Sequence, residues 1–450
     1  MVRHLRFSPI RRTSAPRIRS PGGSGKNAAI LHYAAPPVIG GVEATICHHA
    51  VGLAERGYRV KVIAGRGEVF APGVAFQRIP EVDSTHPDVL AIQRELGEGR
   101  VGSGFRSLRG RILVALDEAL AESDVCIVHN AFTLHKNLAL TAALHQLAGD
   151  DVLARPLKPA STSEGSVRFI AWCHDLAWTN PLYLPQLRDR YPWNLLKTPL
   201  EGMRYVVVSR LRHRELAGLM GIAEEEIRVI PPGVDPAEFW DLTETTRRRI
   251  EGLGFLEAAP LMLLPARITK RKNIELAIEV LAALRGMGWD ARLIVTGPPG
   301  PHNVRNVTYL ENLKKLRRRL GVEGEVVFLY ESCGEVGDEV VADLFLLADL
   351  LFFPSTQEGF GVPVLEAGLA RMPIFCADIP PFRESGEGAA HFYSLDESPP
   401  RIARRIAAFL AEDGAYRMRR RVLRRYTWPA ILDGEIVPLL EEFLGECERC

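Results

Sequence analysis

The 450-residue chain is long enough for two or three domains with large cores, and its 47% hydrophobic, 25% charged and 8% aromatic residues exclude wholesale disorder. No apolar run approaches the roughly 18 residues of a membrane span. The net charge of +1 hides an asymmetry: Arg3, Arg6, Arg11, Arg12, Arg17, Arg19 and Lys26 place +7 on residues 1–26, so residues 27–450 carry −6, a poor balance for a general nucleic-acid binder.

Residues 1–26 read as a basic, disordered tail without the continuous apolar stretch of a secretory signal. Within it, Gly22-Gly23-Ser24-Gly25-Lys26-Asn27 imitates a phosphate loop. It has Ser20 where the leading glycine belongs, Asn27 where Ser or Thr is needed, and a strand after it instead of before. The seven cysteines are odd in number and lie mostly in apolar runs, which fits a reduced, cytoplasmic setting. Cys447 and Cys450 have no second pair to complete a zinc site.

From Asn27 onward, short β-branched runs alternate with longer amphipathic ones, the pattern of a parallel sheet covered by helices on both faces. Strands are expected at 28–34, 59–64, 124–129, 168–173 and 204–209, with Val42, Ile46, Ala50 and Leu53 at helical spacing after the first. A turn-rich hinge follows, Pro231-Pro232-Gly233-Val234-Asp235-Pro236. A second series has strands at 261–265, 291–296, 325–329, 350–353 and 373–377, and Asn273 is expected to cap the helix carrying Ile274, Ile278, Leu281 and Leu284. The fold class is therefore α/β, two doubly wound Rossmann-like domains facing a cleft: 27–232, 233–425, and a terminal segment 426–450 whose Ile436, Leu439, Leu440, Phe443 and Leu444 share one helical face.

Two clusters carry chemistry. After the strand at 350–353 come Glu358-Gly359-Phe360-Gly361-Val362-Pro363, a Gly-x-Gly turn that delivers a helix N-terminus, with Pro363 where proline is best tolerated. Unpaired backbone N–H groups and the helix dipole there suit a diphosphate. Glu358 and Glu366 would repel phosphate, so they suit sugar hydroxyls flanking the same ligand. Arg267, leaving a strand, and Lys272, just before a helix, suit a departing diphosphate. Their neighbours Lys270 and Arg271 are expected to be solvated, and no His, Asp or Glu cluster has metal-ligand spacing.

These residues resemble those of the retaining, two-domain (GT-B fold) glycosyltransferases of family 4, over about residues 28–444. The resemblance rests on Glu358 and Glu366 with Gly-Phe-Gly between them, Arg267 and Lys272, Gly40-Gly41-Val42-Glu43, His174-Asp175, Ser209-Arg210 and Pro232-Gly233-Val234-Asp235. It implies transfer of a hexose from a nucleotide diphosphate sugar, of GDP-mannose or UDP-glucose type, to a hydroxyl of a small-molecule or glycan acceptor, without a cofactor or metal. It also implies residue roles. Glu366 would bind the ribose, Glu358 the hydroxyls of the transferred sugar, and Arg267 with Lys272 the diphosphate. Backbone N–H groups around Phe360, Gly361 and Val362 would add donors, Gly40 and Gly41 would close on the phosphates, and Ser209 would join the donor site. His174 would lie near the anomeric carbon, and the leaving phosphate itself would take the acceptor's proton.

The family places its acceptor in the N-terminal half, where His129, His135 and Lys136 follow a strand and would suit an anionic molecule. Trp172, Trp178, Tyr183 and Trp193 read mainly as packing, with stacking on sugar faces the alternative, and the basic runs 314–319 and 417–425 as exposed helix faces, with membrane-surface or polyanion binding the alternative. A nucleotide-sugar epimerase, a phosphorylase of the same plan, or a non-catalytic sugar-nucleotide-binding module would show many of the same residues.

Overall fold

The computed structural model describes residues 25–149, 167–250, 252–300 and 305–445; the tail up to residue 24, Cys447 and Cys450 lie outside the described residues. The chain forms two compact units, Met1–Gly233 with Trp428–Cys450, and Val234–Thr427.

The first unit is built on a seven-stranded parallel sheet ordered β3-β2-β1-β4-β5-β6-β7. Its strands are β1 (Asn27–Ala34), β2 (Arg59–Arg66), β3 (Val74–Arg78), β4 (Val125–His129), β5 (Arg168–Cys173), β6 (Arg204–Val207) and β7 (Ile227–Val229). Side chains alternate between two cores: Ala28, Ile30, Val125, Ile127, Ile170 and Trp172 enter one, while Ala29, Leu31, Cys126, Val128 and Ala171 enter the other. α1 (Gly41–Glu55) covers the first core with Ile46, Ala50 and Leu53. α2 (Arg210–Met220) follows β6 and starts from Ser209, whose Oγ accepts a hydrogen bond from the Arg212 N–H at 3.2 Å. The strand order reverses between β1 and β4, and open α/β sheets present ligand sites at the carboxyl ends beside such a reversal.

The second unit repeats the plan with six parallel strands ordered β10-β9-β8-β11-β12-β13. They are β8 (Leu261–Leu264), β9 (Arg292–Val295), β10 (Val326–Phe328), β11 (Leu350–Phe353), β12 (Ile374–Ala377) and β13 (His391–Tyr393). Leu261 to Leu264 and Leu350 to Phe353 are fully or almost fully buried, as expected of strands covered on both faces. α3 (Ile274–Gly286) follows β8, α4 (Val362–Leu369) follows β11, and α5 (Gly414–Arg425) closes the unit.

The chain then returns to the first unit. Residues Trp428–Ile431 begin a helix that widens over Leu432–Ile436 and continues as α6 (Val437–Gly445). Trp428, Ile431, Leu432, Ile436, Leu439, Leu440 and Phe443 complete the core under α1, with Leu444 packed at its margin. A Cβ at Gly52 would collide with the Leu432 side chain, so α1 and the returning segment meet at near backbone contact. Arg56 pairs with Asp433 at 2.6 Å and Arg228 with Glu442 at 2.7 Å, while Arg168 bonds the Phe443 carbonyl.

The two doubly wound sheets agree with the sequence pattern, but three strands do not follow from it. β3, β7 and β13 are edge strands of five, three and three residues, half exposed and polar, so they lack the apolar continuity that marks the others. Among the described residues no helix is long and apolar enough to cross a membrane.

Candidate functional site

In the second unit the loops after β8 and β11 are stitched together. Asn273 does stand at the start of α3, but with φ 49° and ψ 49° and no side-chain cap bond. The expected capping role is thus absent. Asn instead supplies a left-handed turn that a β-branched residue would resist. That turn tucks Lys272 inward, where it is 8% exposed, with its ammonium 4.8 Å from the centroid of the Phe353 ring and bonded to one oxygen of Glu358.

Arg271 takes the other Glu358 oxygen at 2.9 Å and the Gln357 carbonyl at 3.0 Å, while its own carbonyl accepts from the Thr356 N–H at 2.8 Å. Arg271 is exposed, as expected, but not idle: the Glu358 carboxylate, with one lysine partner, leaves an oxygen that the guanidinium fills. Lys270 is 81% exposed, yet pairs with Glu275 and lies over the Tyr309 ring. Desolvation would raise the Glu358 carboxyl, but hydrogen bonds and charge from Lys272, with Arg271, outweigh it and hold the group below the usual carboxylate range. Burial lowers Lys272 below the usual lysine value, more than Glu358 restores.

Arg267 leaves the same loop exposed, with no ion pair among the described residues. Its backbone is crowded by Gly297 at the end of β9, where a Cβ would stand 2.7 Å from Arg267 N and Cα. No motif marks Gly297; its signal in the sequence is a glycine just beyond an apolar strand. Gly361 adopts φ 99°, and a Cβ there would meet the Phe382 ring at 2.8 Å. Only glycine satisfies both constraints. It opens α4, where Pro363 has no N–H and the Val364 N–H bonds the Gly361 carbonyl at 2.9 Å, so any donors offered at this end come from the exposed Phe360 to Val362 stretch. Glu366 stands exposed on α4. The structure thus ties Glu358 to Lys272 and Arg271 and leaves Glu366 and Arg267 open.

In the first unit, the carboxyl ends of β1, β4 and β5 carry His32, His129 and His174. His129 Nδ1 and His174 Nε2 share a hydrogen bond of 2.9 Å, with rings stacked at 24°. His32 Nδ1 lies 3.0 Å from the His129 carbonyl oxygen, and its Nε2 4.0 Å from the Glu43 carboxylate. Burial is the main cause holding His32 and His174 at about 4 and His49, packed on His129 and Trp172, at about 3, so these imidazoles are neutral near pH 7. The His174 loop is fixed by Asn130, itself left-handed at φ 61°, whose Oδ1 accepts from the His174 N–H at 2.9 Å. Asp175 pairs with Arg212 at 2.8 Å.

His129 is fully buried, so it supports His174 and offers no surface to an acceptor. His135 and Lys136 do lie together: His135 Nε2 is 3.0 Å from the Gln186 amide oxygen, and the Lys136 ammonium sits 4.7 Å from the centroid of the Tyr183 ring. Trp172 and Trp193 are core residues, and Trp178 donates to the Trp193 carbonyl at 3.2 Å. Gly40 precedes α1 with extended backbone, and a Cβ there would strike the Glu43 carboxylate; beside Gly41 the space is open. Ser209 has its oxygen engaged in capping α2.

A model of Glycosyltransferase Family 4 matches residues 39–238, and one of glycosyl transferases group 1 matches residues 246–426. The mannosylglucosylglycerate synthase of Petrotoga mobilis is 24% identical over 59% of this chain and 62% of its own length. The mannosylfructose-phosphate synthase of Agrobacterium fabrum is 30% identical over 34% of this chain and 33% of its own. The chain thus spans less than two thirds of the length of these curated relatives. The sucrose-phosphate synthase of Thermosynechococcus elongatus aligns over 92% of this chain and 99% of its own, at 14% identity and a TM-score of 0.36. With a family model on each of its two Rossmann-like halves, the chain belongs to the GT-B glycosyltransferases of family 4.

Proposed function

We propose that the protein transfers a hexosyl group from a nucleotide diphosphate sugar to a hydroxyl of a small anionic or sugar acceptor, with retention of configuration and without a metal. The observation that carries this reading is the cluster at the carboxyl ends of β8 and β11: a lysine–carboxylate–arginine group beside a glycine-opened helix N-terminus. Such a site accepts sugar hydroxyls on its carboxylate and phosphate oxygens on its cations and N–H groups. The named relatives make mannosyl products whose other parts, glycerate and a sugar phosphate, are anionic.

On this reading Glu366 receives the ribose hydroxyls and Glu358 those of the transferred sugar. Arg267 and Lys272, with the N–H groups of Phe360 to Val362, stabilise charge as it develops on the leaving diphosphate; fixed donors of this kind act without reorganising in the transition state. In the Gly40-Gly41 loop the open space beside Gly41 leaves room for phosphate oxygens, and Ser209 supports the donor side by holding α2. His174, neutral, offers a hydrogen bond to the donor sugar. The leaving phosphate oxygen takes the acceptor's proton as the acceptor oxygen bonds the anomeric carbon on the same face, so no protein nucleophile is needed. His135 and Lys136 meet the acceptor's negative charge.

The test incubates the protein with UDP-glucose, GDP-mannose and ADP-glucose, a panel of sugar and carboxylated or phosphorylated acceptors, and a chelator in one arm, with products read by mass spectrometry and anomeric NMR couplings. A glycoside with the donor's configuration, formed equally with chelator, is expected. Conversion of the donor sugar without an acceptor, or a requirement for free phosphate, overturns the proposal in favour of an epimerase or a phosphorylase.

A further inference from the structure

The two basic runs of the sequence differ once folded. In the helix Arg305–Arg319, Lys314 pairs with Glu311 at 2.8 Å and Glu331 at 2.9 Å, Arg317 with Glu331 at 2.9 Å, and Arg318 with Glu323 at 3.2 Å. Acids answer most of that run. α5 contains none. On α5, Arg417, Arg420, Arg421, Arg424 and Arg425 follow helical spacing on one face, and that face walls a cavity of about 480 Å³. Asp290 is the one acid among the lining residues, and Trp289 supplies an aromatic side.

The five arginines are not equivalent. Arg420 is buried and committed to the fold, donating to the carbonyls of Leu256 and Glu257 at 3.1 and 3.0 Å. Arg421 donates to the Tyr426 hydroxyl at 3.2 Å. Arg417, Arg424 and Arg425 are exposed and join no ion pair among the described residues. Like charges three and four residues apart repel along a helix. The helix dipole favours Arg424 and Arg425 in the last turn, but it opposes Arg417 in the first. The helix therefore keeps, at a cost to itself, a stripe of guanidinium groups around a concavity of ligand size.

Position separates this cavity from the site described above. Ala259 precedes β8 and Asp290 precedes β9, so the cavity lies at the amino ends of these strands, whereas Lys272 and Glu358 follow the carboxyl ends of β8 and β11. It thus lies at the other ends of the strands of the same sheet. Guanidinium groups pair with phosphate oxygens through two parallel N–H bonds, and several around one hollow match several phosphate charges. We propose that the arginine-walled cavity at the amino ends of β8 and β9 is a second anion site, taking a group with two or more phosphate charges, either a free polyphosphorylated molecule or a phospholipid headgroup.

The full chain is titrated with sodium tripolyphosphate at constant ionic strength, following Trp fluorescence and thermal stability, with sulfate as the control anion; flotation with vesicles of phosphatidic acid, whose phosphate monoester carries up to two charges, and of phosphatidylcholine forms the second arm. Saturable binding is expected, weakened at least tenfold in Arg421→Gln/Arg424→Gln/Arg425→Gln and more mildly in Arg417→Gln. These exposed substitutions relieve repulsion, so unliganded stability should not fall. The double variant Arg267→Ala/Lys272→Met, which disables the diphosphate site, should keep the binding component that the α5 variants lose, which separates the two sites. Response in the first arm alone identifies a free ligand, and flotation restricted to phosphatidic acid identifies a headgroup. No binding in either arm, equal response to sulfate, or unchanged binding in the arginine variants overturns the proposal.

Discussion

Glu358→Gln keeps the shape of the side chain and removes its charge, leaving Lys272 with its ammonium in a site where the residue is 8% exposed. Removing one partner of a buried pair costs about 3–5 kcal/mol. Here the low end, about 3 kcal/mol, applies, because Arg271 is 49% exposed and water reaches that side of the cluster. The pH dependence has a definite sign. Burial already lowers the Lys272 pKa and Glu358 holds it up, so the substitution lowers it further. The unfolded chain keeps that proton to about pH 10.4, so the folded variant binds fewer protons than the unfolded one below this value, and its stability rises with pH more steeply than that of wild type. Hydrogen exchange resolved to the β8 and β11 peptides tests both points without assuming that the two units unfold together. Exchange about a hundredfold faster near pH 7, with the difference narrowing by about pH 9, is expected. Exchange within twofold of wild type, with no added pH slope, would show that Glu358 does not neutralise Lys272.

Three further predictions follow from the same geometry. Gly361→Ala imposes a side chain at φ 99° and a 2.8 Å approach to Phe382, so it should lower stability by about 1–2 kcal/mol from backbone strain alone and weaken nucleotide binding; unchanged calorimetry for both would remove the argument from this turn. His32, His49, His129 and His174 stay neutral in the fold while the unfolded chain protonates them below about pH 6.5. Their contribution is therefore complete above that pH and is lost at about 1.4 kcal/mol per pH unit per histidine toward about pH 4, so β1 and β4 amides should lose protection on acidification well before those of β8 and β11; parallel loss in both units would contradict this. If His129 orients His174, His129→Asn, whose amide falls near the lost Nδ1, should preserve kcat better than His129→Leu at similar donor KM, and equal kcat in the two variants would reduce His129 to packing.

The sequence carried the sheets wherever burial was two-sided. β1, β4, β8 and β11 read as apolar runs because both faces are covered, and so does the three-residue edge strand β10, which is wholly buried, while β7 and β13 are as short with one buried residue each, too little to show a pattern. The site was legible where a residue type is dictated by backbone, as at Gly361, or by a motif, as at Glu358 and Lys272. Arg271 and Lys272 are adjacent, and spacing alone did not show that one carboxylate would take both. The His129–His174 bond joins the ends of adjacent strands 45 residues apart, and only the register of the sheet brings them together. Ser209 was visible as a motif residue, but its cap on α2 depends on where β6 stops.

The return of residues 428 to 445 to the first sheet bears on the order in which the molecule can be made. Val234–Thr427 is one uninterrupted stretch, whereas the core beneath α1 needs Ile436, Leu440 and Phe443 from the far end of the chain. On the ribosome the later unit therefore has all its parts first, and the earlier one waits with an open apolar groove until residues 428 to 445 have been made. A premature stop just after residue 427 would spare the second half and damage the first.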